Sequence, residues 1–404
     1  MIIVRITENR FLCFFILFFL YFFNVLSRII FSPLMPIICN DIMLAPNEVG
    51  NIFFILSTGF GFSLFLSQYI SKIFSHKKTI LISTFFSSCG LFILSLGTSL
   101  FSIKIGLLFL GISSGLFLPS SIALISRIFA KKYWGRLFGL YSAAQSMAFL
   151  VAPFLVEFIL PYLYWKKILS SLGSISLFMT LIMLLFPNTQ DEKGEAVNLQ
   201  ILHQLFKWPF FWFVLLLLAL ITGFNVGVFN MIPHYFASLS NQIITLKTNY
   251  LLIFTRSIGI FAALIGGWIM DLFGIRKSLA YGLIICSFFT CMMGIAPNFS
   301  NIAFLLQSLL AICLTPIIHV GVASLAPPGK NGMFVAIFSS FAFFLGSGVI
   351  PQMLGYMAKY EKYSLGFIIL GIIGIFPGIL LFWNKLPYSF STKFEFIGYK
   401  KIEE

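Results

Sequence analysis

Apolar stretches of roughly 18–28 residues recur twelve times along this chain. They lie near 11–38, 48–70, 79–99, 103–126, 138–160, 168–187, 209–235, 249–270, 278–296, 300–325, 333–357 and 363–384. Each is long enough to cross a ~30 Å hydrocarbon layer as a helix, at ~1.5 Å rise per residue. Inside lipid every backbone N–H and C=O needs an internal partner, so a lone segment of this length has to be helical. The predicted fold class is all-α: a polytopic membrane protein with 12 transmembrane helices in two pseudo-symmetric six-helix bundles. Composition excludes the soluble alternative. Charged residues make up 9% of the chain, against about 25% in soluble domains. The first stretch is expected to stay on the protein, because it is too long for a signal-peptide core and lacks a small-residue cleavage site.

The formal net charge of +14 raises the question of a nucleic-acid partner, and its distribution answers it. With the N-terminus cytoplasmic, eighteen of the twenty-six Lys and Arg fall in inside segments and six in outside segments. Arg28 and Arg256 remain within the apolar stretches. That asymmetry is the positive-inside bias of membrane topology, with both termini cytoplasmic and no nucleic acid implied. The six cysteines show no metal-ligand spacing with each other or with His and read as small packing residues. No metal or cofactor is expected. The chain also lacks GxxxxGK[ST], so ATP is not the expected driver.

The chain reads as built twice. Pro36 and Pro233, Pro119 and Pro316, and Gly135 and Gly332 are each 197 residues apart, and Pro153 and Pro351 are 198 apart. Landmarks matching in order at one offset point to tandem duplication. The longest polar interval falls between the copies. The expected organisation is 1–187 as the first bundle, 188–207 as a cytoplasmic central loop, 208–385 as the second bundle and 386–404 as a cytoplasmic tail. The halves share a loop as well: "GGWIMDLFGIRKSL" in the second aligns with "SQYISKIFSHKKTIL" in the first, Gly274 falling on Ser75 at an offset of 199.

Gly267, Asp271, Gly274, Arg276 and Lys277, at those spacings, closely resemble the signature loop of the major facilitator superfamily. Twelve spans, six-plus-six duplication and a charged central loop resemble that family too, as does "GLFLPSSIALISRIFAKKYWGRLFGLYSAAQSMAFLVAP". The likeness implies a transporter, which is not an enzyme, with a loop acting as a cytoplasmic latch between bundles. The first-half loop departs from the pattern. Gln68, Lys72 and Ser75 stand where Gly, Asp and Gly are usual, and only His76, Lys77 and Lys78 keep its basic run. Physically, Asp271 is placed to meet Arg276, Lys277 or a helix N-terminus. Gly267 would allow close helix approach, and Gly274 a tight turn.

The buried cations carry most of the functional information. Arg28 is ~27 Å along its helix from Arg10 and ~20 Å from Asp41, and Arg256 is ~22 Å from Asp271. A charge at this depth costs ~2.5–3.5 kcal/mol on insertion scales, so each should face a cavity or a partner. Asn225, the 197-offset equivalent of Arg28, is also polar and mid-span. Two cations with no central carboxylate leave a positive cavity suited to an anion, which an arginine fork can hold by two bonds. The competing reading is an arginine that snorkels or bonds backbone carbonyls. Asn24 and Gln145 are further candidate substrate ligands, and His319 a candidate proton carrier; packing or helix–helix hydrogen bonding competes for each.

These readings converge on a secondary transporter in a bacterial inner membrane. It is expected to be a monomer and to move a small organic or inorganic anion by alternating access, with proton symport or exchange. A proton-driven efflux pump for lipophilic compounds is the rival on the same fold, disfavoured by the absence of a mid-span carboxylate. A non-transporting nutrient sensor is the rival of another class.

Overall fold

The computed structural model describes residues 2–130, 133–185, 193–194, 203, 205–207, 209–240, 246–326 and 331–382. The expected central loop at 188–207 lies mostly outside the described residues, and the tail at 386–404 entirely so.

Among the described residues, eleven continuous helices are long and apolar enough to cross a membrane. One of them, Thr248–Ile295, is 48 residues long and contains a non-helical residue, Gly274 at φ 76°, ψ 158°. Divided there it makes two spans, and the total is twelve. The spans are Arg10–Asp41, Pro46–Phe74, His76–Leu96, Leu100–Ile128, Arg136–Ile159 and Trp165–Leu184 in the first half. In the second they are Pro209–Leu239, the two parts of Thr248–Ile295, Pro297–Ser324, Phe334–Lys359 and Tyr363–Leu381. Each half is a six-helix bundle; within the first, the second and third spans both pack on the fourth, and the third packs on the sixth.

The duplication is legible in the backbone. Ser75, aligned with Gly274, has φ 76° and ψ 162°, the same conformation with a side chain attached. Thr79 Oγ1 donates to Ser75 O at 2.6 Å, and Ser278 Oγ donates to Gly274 O at 2.8 Å. Both hydroxyls sit four residues after the turn, so the two loops close in the same way despite their different sequences.

Proline breaks the first span where Arg28 sits. Pro33 has no N–H to donate to Ile29 O, and the helix is interrupted between Ile29 and Phe31. The seventh and eleventh spans each contain a π-helical stretch, Gly223–Gly227 and Phe343–Val349. These stretches pack on each other through glycine. A Cβ on Gly346 would lie 2.3 Å from Ala219 O and 2.7 Å from Gly223 N, an approach that needs small residues.

The halves meet along three pairs of spans: first with seventh, second with eleventh, and fifth with eighth. Ser32 Oγ donates to Phe229 O at 2.8 Å. These residues are 197 apart, so the bond joins repeat equivalents, as expected where a pseudo-two-fold axis passes. Ser57 and Ser347 hydroxyls are 3.0 Å apart, and Asn249 Nδ2 donates to Glu157 Oε2 at 2.9 Å. Gly50 is packed so closely that an added Cβ would lie 2.3 Å from Pro351 O. The contacts of Gly50, Glu157 and Asn249 lie toward the membrane face opposite the Arg10 end. On the fifth and eighth spans Val156 and Leu252 are buried at that end.

Candidate functional site

Arg256 enters from the eighth span and lands on the π-helical turn of the seventh. Its Nη1 donates to Asn225 Oδ1 and its Nη2 to Asn225 O, both at 2.8 Å. A π turn shifts the carbonyls out of the usual ladder and presents them sideways. Phe224 O is used likewise, accepting from Gln307 Nε2 at 3.0 Å. The guanidinium lies 4.3 Å from the ring centroid of Phe229 and 4.4 Å from that of Phe149. Phe149 belongs to the fifth span, so this cation bridges the halves. Asn225 Nδ2 then donates to Thr315 Oγ1 at 3.0 Å. His319 closes the chain, its Nδ1 meeting Thr315 O at 2.8 Å. Arg256, Asn225 and His319 thus form one internal network, and one N–H of each Arg256 Nη is held by the protein.

Arg28 is placed differently. Its guanidinium lies over Phe60, 4.5 Å from the ring centroid, its Nε is buried without a partner, and no hydrogen bond to it is found among the described residues. It borders a small cavity of about 10 Å³, room for about one water. Ser57 and Phe60 of the second span, Asn230 of the seventh, and Phe343 and Ser347 of the eleventh line it together with apolar Ile29, Leu56 and Val226. Asn230 is buried, with 3% of its surface exposed, and faces the same space. Both halves therefore contribute polar groups around one cation. The carboxylates whose side chains are described, Asp41, Glu48, Glu157, Asp271 and Glu361, all lie near span ends. Among the described residues no acid answers the charge.

Sequence reasoning missed Asn230, Ser57, Ser347 and Phe60. Asn230 carried a signal, a second amide five residues after Asn225. The serines and Phe60 carried none, since serine is common in these spans and the chain has 52 Phe. Asn24 is buried and its Nδ2 has no partner. Gln145 Oε1 accepts from Tyr21 OH at 2.8 Å, a bond within the first bundle.

The loops modify several expectations. Gly267 does not mediate close packing: nothing lies within 4 Å of a Cβ added there. Its neighbour Gly266 does, with a would-be Cβ 2.3 Å from Cys313 O, because the helix turns that face inward one residue earlier. Asp271 is exposed and forms no ion pair with Arg276 or Lys277 among the described residues. Arg276 Nε instead donates to Leu381 O at 2.8 Å, satisfying a carbonyl at the end of the twelfth span. In the first-half loop His76 and Lys77 are buried and Lys78 is exposed. Gly194 N donates to Ser71 O at 3.0 Å, so residues after the sixth span lie against this loop.

Residues 17–245 match the family model of the Major Facilitator Superfamily, which is more than half of the chain. The chain belongs to the Major Facilitator Superfamily. Among curated proteins it is 26% identical over 226 residues to a Protein TsgA homolog of Buchnera aphidicola from Acyrthosiphon pisum, covering 55% of this chain and 57% of that protein. It is 27% identical over 132 residues to the probable galactarate/D-glucarate transporter GudP of Bacillus subtilis, covering 31% of this chain and 28% of that one. The match thus spans little more than half the length of the first of these relatives and less than a third of the second. Among solved structures it resembles a bacterial homolog of the human lysosomal transporter Spinster, at a TM-score of 0.75 and 13% identity, over 93% of this chain and 96% of the other. At that identity the likeness establishes the fold.

Proposed function

We propose that this superfamily member is a secondary transporter for a small anion and works by alternating access. Arg28 is the group that meets the anion. The observation carrying this reading is a guanidinium in the membrane interior whose Nε is buried without a partner and which has no hydrogen bond among the described residues, facing a cavity built from both halves. A cation left this way in a membrane interior is favourable when something anionic visits it. Asn230, Ser57 and Ser347 add neutral polar groups around the same point. The resemblance to a probable transporter of two dicarboxylates, galactarate and D-glucarate, supports the same class of solute.

In this reading residues 1–187 and 208–385 rock about the central contacts, and residues 188–207 connect them. With both termini cytoplasmic in a bacterial inner membrane, the described arrangement is closed outside, and the ~10 Å³ cavity marks the closed apex of the route. Arg256 is assigned as the pivot, since it is tied to Asn225 in one half and stacked on Phe149 in the other. His319 is assigned to the coupling proton, because imidazole changes charge near neutral pH and its Nε2 is left for exchange. The loops containing His76, Lys77 and Lys78, and Gly267, Asp271, Gly274, Arg276 and Lys277, are assigned to the cytoplasmic gate. Asn24 and Gln145 are assigned to the wall of the solute path.

The test is thermal stabilisation of the purified protein by a panel of mono- and dicarboxylates, nitrate and phosphate. A ligand at 100 times its Kd stabilises by about 2.7 kcal/mol. The expected result is stabilisation by one anion class, abolished by Arg28→Gln and weakened by Asn230→Ala. Stabilisation by lipophilic cations with none by anions would overturn the assignment and leave efflux as the reading.

A further inference from the structure

The cavity beside Arg28 holds a pair of hydroxyls whose hydrogens can be counted. Ser347 Oγ donates to Phe343 O at 2.7 Å, inside the π-helical stretch of the eleventh span. A carbonyl only accepts, so the single hydrogen of Ser347 is spent there. Ser57 Oγ lies 3.0 Å from Ser347 Oγ, and Ser57 is then the donor of that pair. Its own hydrogen is spent as well, since Ser57 makes no other hydrogen bond among the described residues. What the two serines offer the cavity they line is lone pairs. The aromatic pairs Phe54–Phe344 and Phe60–Phe343, with ring centroids 5.6 Å and 4.7 Å apart, close the same two spans one turn before and one turn after Ser57.

The polar walls of this space are thus of two kinds. The Arg28 guanidinium only donates, and the Asn230 amide, which has no side-chain hydrogen bond among the described residues, can donate through Nδ2. Ser57 and Ser347 only accept. A solute made of acceptors alone, such as acetate or nitrate, would set its oxygens against the serine lone pairs and leave both sides unpaired. A solute with a hydroxyl beside its charge answers both kinds of wall. The cavity, about 10 Å³, has room for about one water, and a hydroxyl needs the same room. Arg28 is half-buried, so its guanidinium reaches beyond that space and can meet a carboxylate on the adjoining carbon. An ammonium would donate too, but it would set a second cation beside Arg28, and the carboxylates whose side chains are described all lie near span ends.

Given the assignment of Arg28 to an anion, on which this step rests, we propose that the solute is a 2-hydroxy acid. Its carboxylate meets the Arg28 guanidinium. Its hydroxyl enters the small cavity, donating to Ser57 Oγ and accepting from Asn230 Nδ2. Ser347 is a positioning residue: it fixes the direction of the Ser57 hydrogen and so decides that Ser57 accepts from the solute.

The experiment takes Kd values from thermal-shift titrations of the full purified chain. The probes are acetate, glycolate and glycine, which differ in one group on the carbon beside the carboxylate, and D-gluconate with 2-deoxy-D-gluconate. Each hydroxy acid is expected to bind about ten-fold more tightly than its partner lacking that hydroxyl, the worth of about one net hydrogen bond, and glycine no better than acetate. Ser57→Ala brings the glycolate-to-acetate preference to about one and leaves acetate unchanged. Ser347→Ala lets the Ser57 hydrogen turn to the cavity, and acetate gains on glycolate. Arg28→Gln abolishes binding of all five. Equal affinity for glycolate and acetate, with both lost in Arg28→Gln, would overturn the hydroxy-acid assignment and leave the anion reading standing, as would stabilisation by nitrate or phosphate with none by these carboxylates. A preference unchanged in Ser57→Ala would also overturn it, and so would glycine binding more tightly than glycolate, which would assign the site to a zwitterion. Stabilisation by no anion at all would overturn both readings.

Discussion

Ser75 and Gly274 offer a sharp test, because two residues of different type hold the same backbone conformation. Both have φ 76°, with ψ 162° at Ser75 and 158° at Gly274. This region is close to glycine-only, and a side chain held in it costs of order 1–3 kcal/mol. Against that, glycine loses roughly 0.5–1 kcal/mol more than alanine in chain entropy on folding. Glycine should therefore exceed alanine by about 1 kcal/mol at either site. Nothing lies within 4 Å of a Cβ added at Gly274, so its penalty is purely one of backbone. Comparing Ser75→Gly with Ser75→Ala removes the hydroxyl from both sides of the difference. The assay is equilibrium unfolding in mixed detergent and SDS micelles. The expected outcome is Ser75→Gly more stable than Ser75→Ala, and Gly274→Ala less stable than the parent, by similar amounts. If Ser75→Ala equals or exceeds Ser75→Gly, the shared turn geometry is not what holds the first-half loop, and the reasoning fails.

Asn225→Leu removes the acceptor for Arg256 Nη1 and the donor to Thr315, and should destabilise by about 2–4 kcal/mol in the same assay. Asn24→Leu should be neutral or mildly stabilising, because the buried Asn24 Nδ2 has no partner to lose. Gly50→Leu drives a side chain into the Pro351 carbonyl and should prop the second and eleventh spans apart. A thiol introduced by Ser347→Cys, in a cysteine-free background, is then expected to react faster with an impermeant reagent from the Gly50 side. Tyr164, outside the spans, donates to Asp41, and that bond raises its pKa above the usual value near 10. Its folded-state pKa is the higher one, so the stabilisation is complete below the ordinary tyrosine range and is lost as pH rises through the shifted value. Tyr164→Phe should flatten the stability profile above a pH of about 10, which thermal melts across the alkaline range will check.

Sequence periodicity and composition determined the twelve spans, the duplication and the depth of each buried cation. The reason is that lipid imposes a rule on each segment separately: an apolar run of sufficient length has to be a helix. The same logic located the Gly274 turn and its partner at Ser75 through a shared offset. Partner choice was beyond its reach. Arg28 and Arg256 look alike as buried arginines in apolar runs, yet one is tied to Asn225 and stacked between two phenylalanines while the other faces a cavity. Only the three-dimensional meeting of the halves distinguishes them. That meeting brings Ser57, Asn230 and Ser347 together across sequence separations of 173 and 117 residues, and no local pattern encodes such contacts. Gly266 rather than Gly267 makes the close approach because the helix rotation is set by its neighbours, a decision that belongs to packing.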